Sequence, residues 1–158
     1  MIFYIIILCI LFYVYCYFIF PNNVSILQTN LQEFDFNLLL KRQPLVIEDC
    51  VKDIVDVINS WFSPNIIQDI VFDNKRIWNI NSHKYLYVYA LDDTEVLLYA
   101  PGHKVIDDNP DNSEPVIAIN LKASQSVIVP YRWYFNTKNN VKLYGIHDYI
   151  TYLIDFVY

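Results

Sequence analysis

Clustered positive charge, a cysteine framework and zinc-ligand spacing are all missing from this chain. Its eleven Lys and Arg stand singly apart from Lys41-Arg42 and Lys75-Arg76, and seventeen Asp and Glu bring the net charge to −6. A nucleic-acid surface concentrates Lys and Arg to neutralise phosphates, so this distribution argues against nucleic acid as a partner. Cys9, Cys16 and Cys50 are the only cysteines, and the first two lie inside an apolar leader. That excludes an internal disulfide framework, and no Cys/His spacing fits a structural zinc, so the domain must fold on packing alone. Glycine occurs twice and alanine four times, whereas Ile, Asn and Tyr are heavily used. AT-rich coding produces that bias without structural purpose; large DNA viruses, some protists and some bacteria share it, and by association a short acidic domain behind an apolar leader fits the first group best.

Charge, Pro and Gly are also missing from the first twenty residues, where thirteen are Ile, Leu, Phe or Val. As one helix this stretch would be about 30 Å long, the thickness of a bilayer's hydrocarbon core. It has no basic leading segment and no small-residue cleavage site, so it reads as an uncleaved anchor rather than a secretory signal. The expectation is a single-pass protein with residues 1–20 as transmembrane anchor, residues 21–32 as a polar stalk and residues 33–158 as one domain. Lipid is then a partner of residues 1–20, and the location is a membrane, in a virion or inside a host cell. Asn23-Val24-Ser25 matches the glycosylation pattern but is discounted so close to the membrane.

Within the domain, Asp35 is placed to cap a short helix through Leu38, Leu39 and Leu40, and Pro44 precedes an extended Leu45-Val46-Ile47. Apolar residues at Val51, Ile54, Val55, Ile58, Trp61 and Phe62 form one helical stripe. A second short helix is expected after Ser63-Pro64, through Ile66, Ile67 and Ile70. From there the period becomes two. Strands are expected at Ile70–Phe72, Tyr85–Ala90, Glu95–Ala100, Val116–Leu121, Ser126–Val129, Tyr131–Phe135, Val141–Tyr144 and Tyr149–Val157. Helices followed by many short strands predict a mainly β (α+β) fold, an antiparallel sandwich or barrel with a helical lead-in.

The stretch from Leu121 through Ser124-Gln125 and Val127-Ile128-Val129-Pro130 to Trp133 and Phe135 resembles the closing strands of cupin-like and JmjC-type double-stranded β-helix domains. In that family a Gly-Asp turn leads to an apolar strand ending in Pro, then a Trp and a metal-binding His. Arg42-Gln43-Pro44-Leu45-Val46-Ile47 is similar to the family's opening strand, and Val96–Pro101 to the strand and proline in between. The resemblance implies a jelly roll. Active members hold Fe(II) with a His-x-Asp/Glu pair and a later His. Here neither His83 nor His103 opens such a pair, Phe135 takes the slot of the later His, and Ser124-Gln125 replaces the Gly-Asp turn. The resemblance thus implies a metal-free shell with no cofactor and no catalytic residues, in which Tyr131, Trp133 and Phe135 plug the cavity.

Other chemistry-bearing residues are weaker. His147-Asp148 would point to opposite faces of an extended segment and reads as a turn rather than a relay. Asp107–Ser113 spaces oxygens like a calcium loop but lacks its Gly and its bidentate Glu, so it reads as a solvated acidic loop. Tyr85, Tyr87 and Tyr89 share one strand face, which either receives the helical lead-in or serves as a partner surface; helix packing is favoured. The expected function is a membrane-anchored structural or interaction domain, not an enzyme, that docks a protein partner. The competing expectation is an oxygenase or small-molecule binder using His83, His103 and Asp92.

Overall fold

A computed structural model describes residues 2–17, 19–20, 23–49, 54–62, 65–71, 78–101, 105–106, 109–110, 115–137 and 140–157. In chain order they form α1 (Ile2–Tyr17), β1 (Leu27–Thr29), α2 (Phe36–Leu40), β2 (Leu45–Ile47), α3 (Ile54–Trp61), β3 (Ile66–Ile70), β4 (Asn79–Ile80), β5 (Tyr85–Ala90), β6 (Thr94–Tyr99), β7 (Val105–Ile106), β8 (Asn109–Pro110), β9 (Ile117–Leu121), β10 (Ser126–Pro130), β11 (Tyr134–Thr137), β12 (Val141–His147) and α4 (Tyr149–Val157).

The chain is mainly β with a few helices. One sheet has the order β1-β2-β10-β5-β12-β3 and the other β4-β11-β6-β9, with β7 and β8 as a separate pair. All pairings are antiparallel except β1 with β2. Alternation along β5 divides two cores. Leu86, Val88 and Ala90 meet Val96, Leu98, Ile119, Val127, Trp133 and Phe135 between the sheets. Tyr87 and Tyr89 face the other way, under Leu39 of α2 and Ile54, Ile58 and Phe62 around α3. The central strands therefore carry apolar residues on both faces, as a sheet covered on both sides requires. Three layers result: helices, the six-stranded sheet and the four-stranded sheet.

Local chemistry accounts for several elements. Asp35 has extended backbone and its carboxylate accepts the Asn37 N–H at 3.0 Å, so α2 starts where its cap dictates. Two turns are tight: Ser124 has φ 68° between β9 and β10, and Arg132 has φ 63° in the turn after Pro130. Both are left-handed positions that favour glycine.

Five expectations change. Ile66–Ile70 is strand β3, not a helix, because its Ile-rich edge pairs with β12 from Leu143 to His147. Tyr149–Val157 is helix α4, not a strand: Asp148 Oδ1 accepts the N–H groups of Ile150 and Thr151, and the Thr151 hydroxyl accepts the Asp148 N–H. This reciprocal cap selects helix over strand in a run that is apolar enough for either. Tyr131–Phe135 is broken by the turn at Tyr131-Arg132, so β11 begins at Tyr134. The expected stalk includes β1, which pairs with β2 from Leu27 to Thr29 and belongs to the sheet. Finally, no helix among the described residues is long and apolar enough to cross a membrane, so the single spanning helix is not supported.

Candidate functional site

Phe135 enters the inter-sheet core from β11, directly opposite Asn79 on β4 and Leu98 on β6. It is 6% exposed and Trp133 is fully buried, so both fill the interior. Tyr131 does not join them. It stays outside, with its ring stacked 6.5 Å from that of Phe20. Pro130 closes β10, and its carbonyl, like that of Val129, accepts a hydrogen bond from Asn81 Nδ2, at 2.9 and 3.0 Å respectively. Asn81 Oδ1 in turn accepts the His83 N–H at 2.9 Å. The Asn81 amide is 1% exposed and committed to holding the Pro130 corner.

The sequence-nominated ligands do not assemble. His83 precedes β5 and Asp92 follows it, so about 20 Å of strand separates them. Asp92 is exposed in the β5–β6 hairpin, and His103 and most of the Asp107–Ser113 loop lie outside the described residues. Among the described residues, no three His, Cys, Asp or Glu side chains group around one point. His83 instead packs on His147, with ring centroids 4.6 Å apart. Gly145 makes this possible: a Cβ there would lie 2.1 Å from His83 Cδ2. Sequence reading missed this pair because the two imidazoles are brought together only by the β5–β12 register.

His147 and Asp148 diverge, as adjacent residues should. His147 is fully buried beside His83, while Asp148 turns to the foot of α1. There Asp148 Oδ2 accepts the Tyr13 hydroxyl and, at 2.8 Å, Lys84 Nζ, which also donates to the Tyr13 oxygen at 3.2 Å. Burial alone would raise the Asp148 carboxyl, but hydrogen bonds from Lys84, Tyr13 and the Thr151 N–H outweigh it and hold the group well below the usual carboxylate range.

The segment after α1 is strapped to the same face. Arg42, at φ 53°, donates from its guanidinium to the Ile19 carbonyl. Gln43 donates to the Asn23 carbonyl at 2.7 Å and accepts the Ser25 N–H at 2.9 Å. Between strap and domain lies a cavity of about 230 Å³ that includes Tyr13, Phe20, Arg42, Lys84, Tyr85 and Tyr131 in its wall.

The tyrosine stripe is not an open surface. Tyr87 is fully buried and Tyr89 is 9% exposed. Tyr85 is half-buried, with its ring 5.8 Å from that of Phe62. The helical stripe that ends at Phe62 needs a sheet to cover, and this is the face it covers.

Compared with protein-family models, curated proteins and solved structures, the chain matches none.

Proposed function

We propose that this is a membrane-anchored, non-catalytic interaction domain, with α1 as anchor and a double-stranded β-helix as body. One observation carries the reading. α1 has no polar face, yet Phe3, Tyr4, Leu8, Leu11, Phe12 and Tyr15 are each at least 60% exposed. A helix apolar on every side needs an apolar surrounding, and lipid supplies it. With Tyr13 tied to the domain, Ile2 to Phe12 rise about 16 Å, which reaches roughly the middle of a bilayer core. The anchor concentrates the domain at one surface, where a protein partner can dock without chemistry. The compositional bias favours a virion or host internal membrane.

The strand order supports the β-helix reading. Setting aside β1, β2 and the β7–β8 pair leaves eight strands. Numbered along the chain, they run first-eighth-third-sixth in one sheet and second-seventh-fourth-fifth in the other, the arrangement of a jelly roll of this kind. The strand facing Phe135 would then supply the family's His-x-Asp/Glu pair, and here it reads Asn79-Ile80-Asn81. Asn, Asn and Phe offer neither the imidazoles nor the carboxylate of a facial triad.

Flotation of the full chain with lipid vesicles tests the anchor. Leu8→Lys puts a charge in the middle of α1, at a position 69% exposed, where folding of the domain does not depend on it. It should weaken vesicle binding more than about 100-fold, from a cost of roughly 3 kcal/mol on insertion scales. Equal behaviour of both chains, or a wild type freely soluble without detergent, would overturn the anchor. Stoichiometric iron or 2-oxoglutarate turnover by the purified protein would overturn the non-catalytic reading.

A further inference from the structure

The cationic residues that stand apart in sequence come together at the foot of α1. Arg42 lies between α2 and β2, and Lys84 lies immediately before β5, yet both line the cavity beside Tyr13 and Phe20. We propose that this cavity binds the phosphate of an anionic phospholipid headgroup.

Several observations support the assignment. The cavity lies at the junction between α1 and the domain, so an α1 buried in lipid holds its mouth at headgroup depth; to that extent the inference rests on the anchor reading. Its wall carries Arg42 and Lys84, and because Lys84 is ion-paired with Asp148 at 2.8 Å the net positive charge rests on Arg42. Lys84 Nζ lies 5.8 Å from the ring centre of Tyr13 and 5.6 Å from that of Tyr85, so the ammonium is held between aromatic walls in a fixed position. Two of its three donors go to Tyr13 and Asp148, which leaves the third to meet an anion. Arg42 adopts a left-handed backbone that a non-glycine residue rarely takes, and its guanidinium points to the Ile19 carbonyl at the cavity's α1 side. Tyr131 and Phe20 close the wall with stacked rings, which suit the interfacial layer where acyl chains meet headgroups. The chain as a whole is at −6 and is repelled by an anionic bilayer, so a preference for such a bilayer must come from a local site.

The test compares binding of the full chain to vesicles of phosphatidylcholine and to vesicles of phosphatidylcholine mixed with phosphatidic acid. The wild type should prefer the mixed vesicles by about fivefold or more for each cation engaged. Arg42→Gln should lose most of that preference and keep its binding to neutral vesicles. Arg42→Gly, which relieves the left-handed backbone and so keeps the fold, should behave alike. Lys122→Gln, with the same charge change in the turn between β9 and β10, should keep the preference. The assignment fails if the wild type binds both vesicles equally, or if the Arg42 variants keep the preference. It also fails if inorganic phosphate displaces the protein from mixed vesicles, because the site would then belong to a soluble phosphate. A wild type that binds neither vesicle refutes the anchor itself, a separate outcome.

Discussion

Gly145→Ala adds a single methyl group, and the structure says what it meets. The new Cβ would lie 2.1 Å from His83 Cδ2, 2.4 Å from Nε2 and 2.7 Å from Cγ. The ring cannot slide away along the sheet, because His147 is packed against it at 4.6 Å and is fully buried. His83 must swing out, or β12 must shift from β5 along the Gly145–Leu86 register. Overpacking of this kind costs about 1–3 kcal/mol. For a chain of this size that is a fall of roughly 3–10 °C in Tm. The sign should reverse once the ring is gone. In a His83→Ala background the methyl has room, and Ala in a strand is better than Gly by about 0.5–1 kcal/mol. The coupling in a double-mutant cycle should therefore be about 2 kcal/mol. Urea denaturation of the full chain in mild detergent, followed by tryptophan fluorescence at constant m, reads all four corners of the cycle. A Gly145→Ala variant as stable as the wild type, or one equally destabilised with and without His83, would show that the imidazole does not occupy the space over Gly145.

Three further outcomes follow from particular residues. Ser124→Gly and Arg132→Gly should each raise stability by about 1 kcal/mol, since each relieves a left-handed backbone, at φ 68° and 63°; thermal melting checks both. Asp148→Asn keeps an N-cap but loses the charge that Lys84 meets, whereas Asp148→Ala loses both and should cost about 1–2 kcal/mol more. Because the folded state holds the Asp148 carboxyl below its ordinary value, its contribution is full above about pH 4 and is lost as pH falls further. Acid titration of stability should therefore be shallower in Asp148→Asn than in the wild type. Burial pushes the Tyr87 phenol up to about 12. Its contribution is full below about pH 10 and is lost as pH rises toward the folded value. Tyr87→Phe should cost about 1–2 kcal/mol at neutral pH by stripping the buried Ser126 hydroxyl of its partner at 2.7 Å. It should also flatten the alkaline loss of stability, measured by urea midpoints on either side of pH 10.

Elements with a strong local signature were readable from the amino acids. The charge-free leader, the Asp35 cap and the alternation of Tyr85–Ala90 all appear where period and cap chemistry put them. Two misreadings fell on short apolar runs. Ile66–Ile70 and Tyr149–Val157 suit helix or strand equally well, and a sheet edge settled one while the Asp148–Thr151 cap settled the other. The candidate sites were less legible than the fold. Each joins residues far apart in the chain: Phe135 to Asn79, His83 to Gly145 and His147, and Tyr13 to Asp148.

Residue order alone set the apolar, charge-free start, the β-rich body and the absence of a His-x-Asp/Glu pair at His83 and His103, since hydropathy, propensity and motif spacing are local properties. Which tyrosines are covered, which imidazoles touch and where Arg42 and Lys84 converge depended on strand register and layer packing. A register slip of one residue moves every side chain to the opposite face, and no local pattern records which partner strand will fix it.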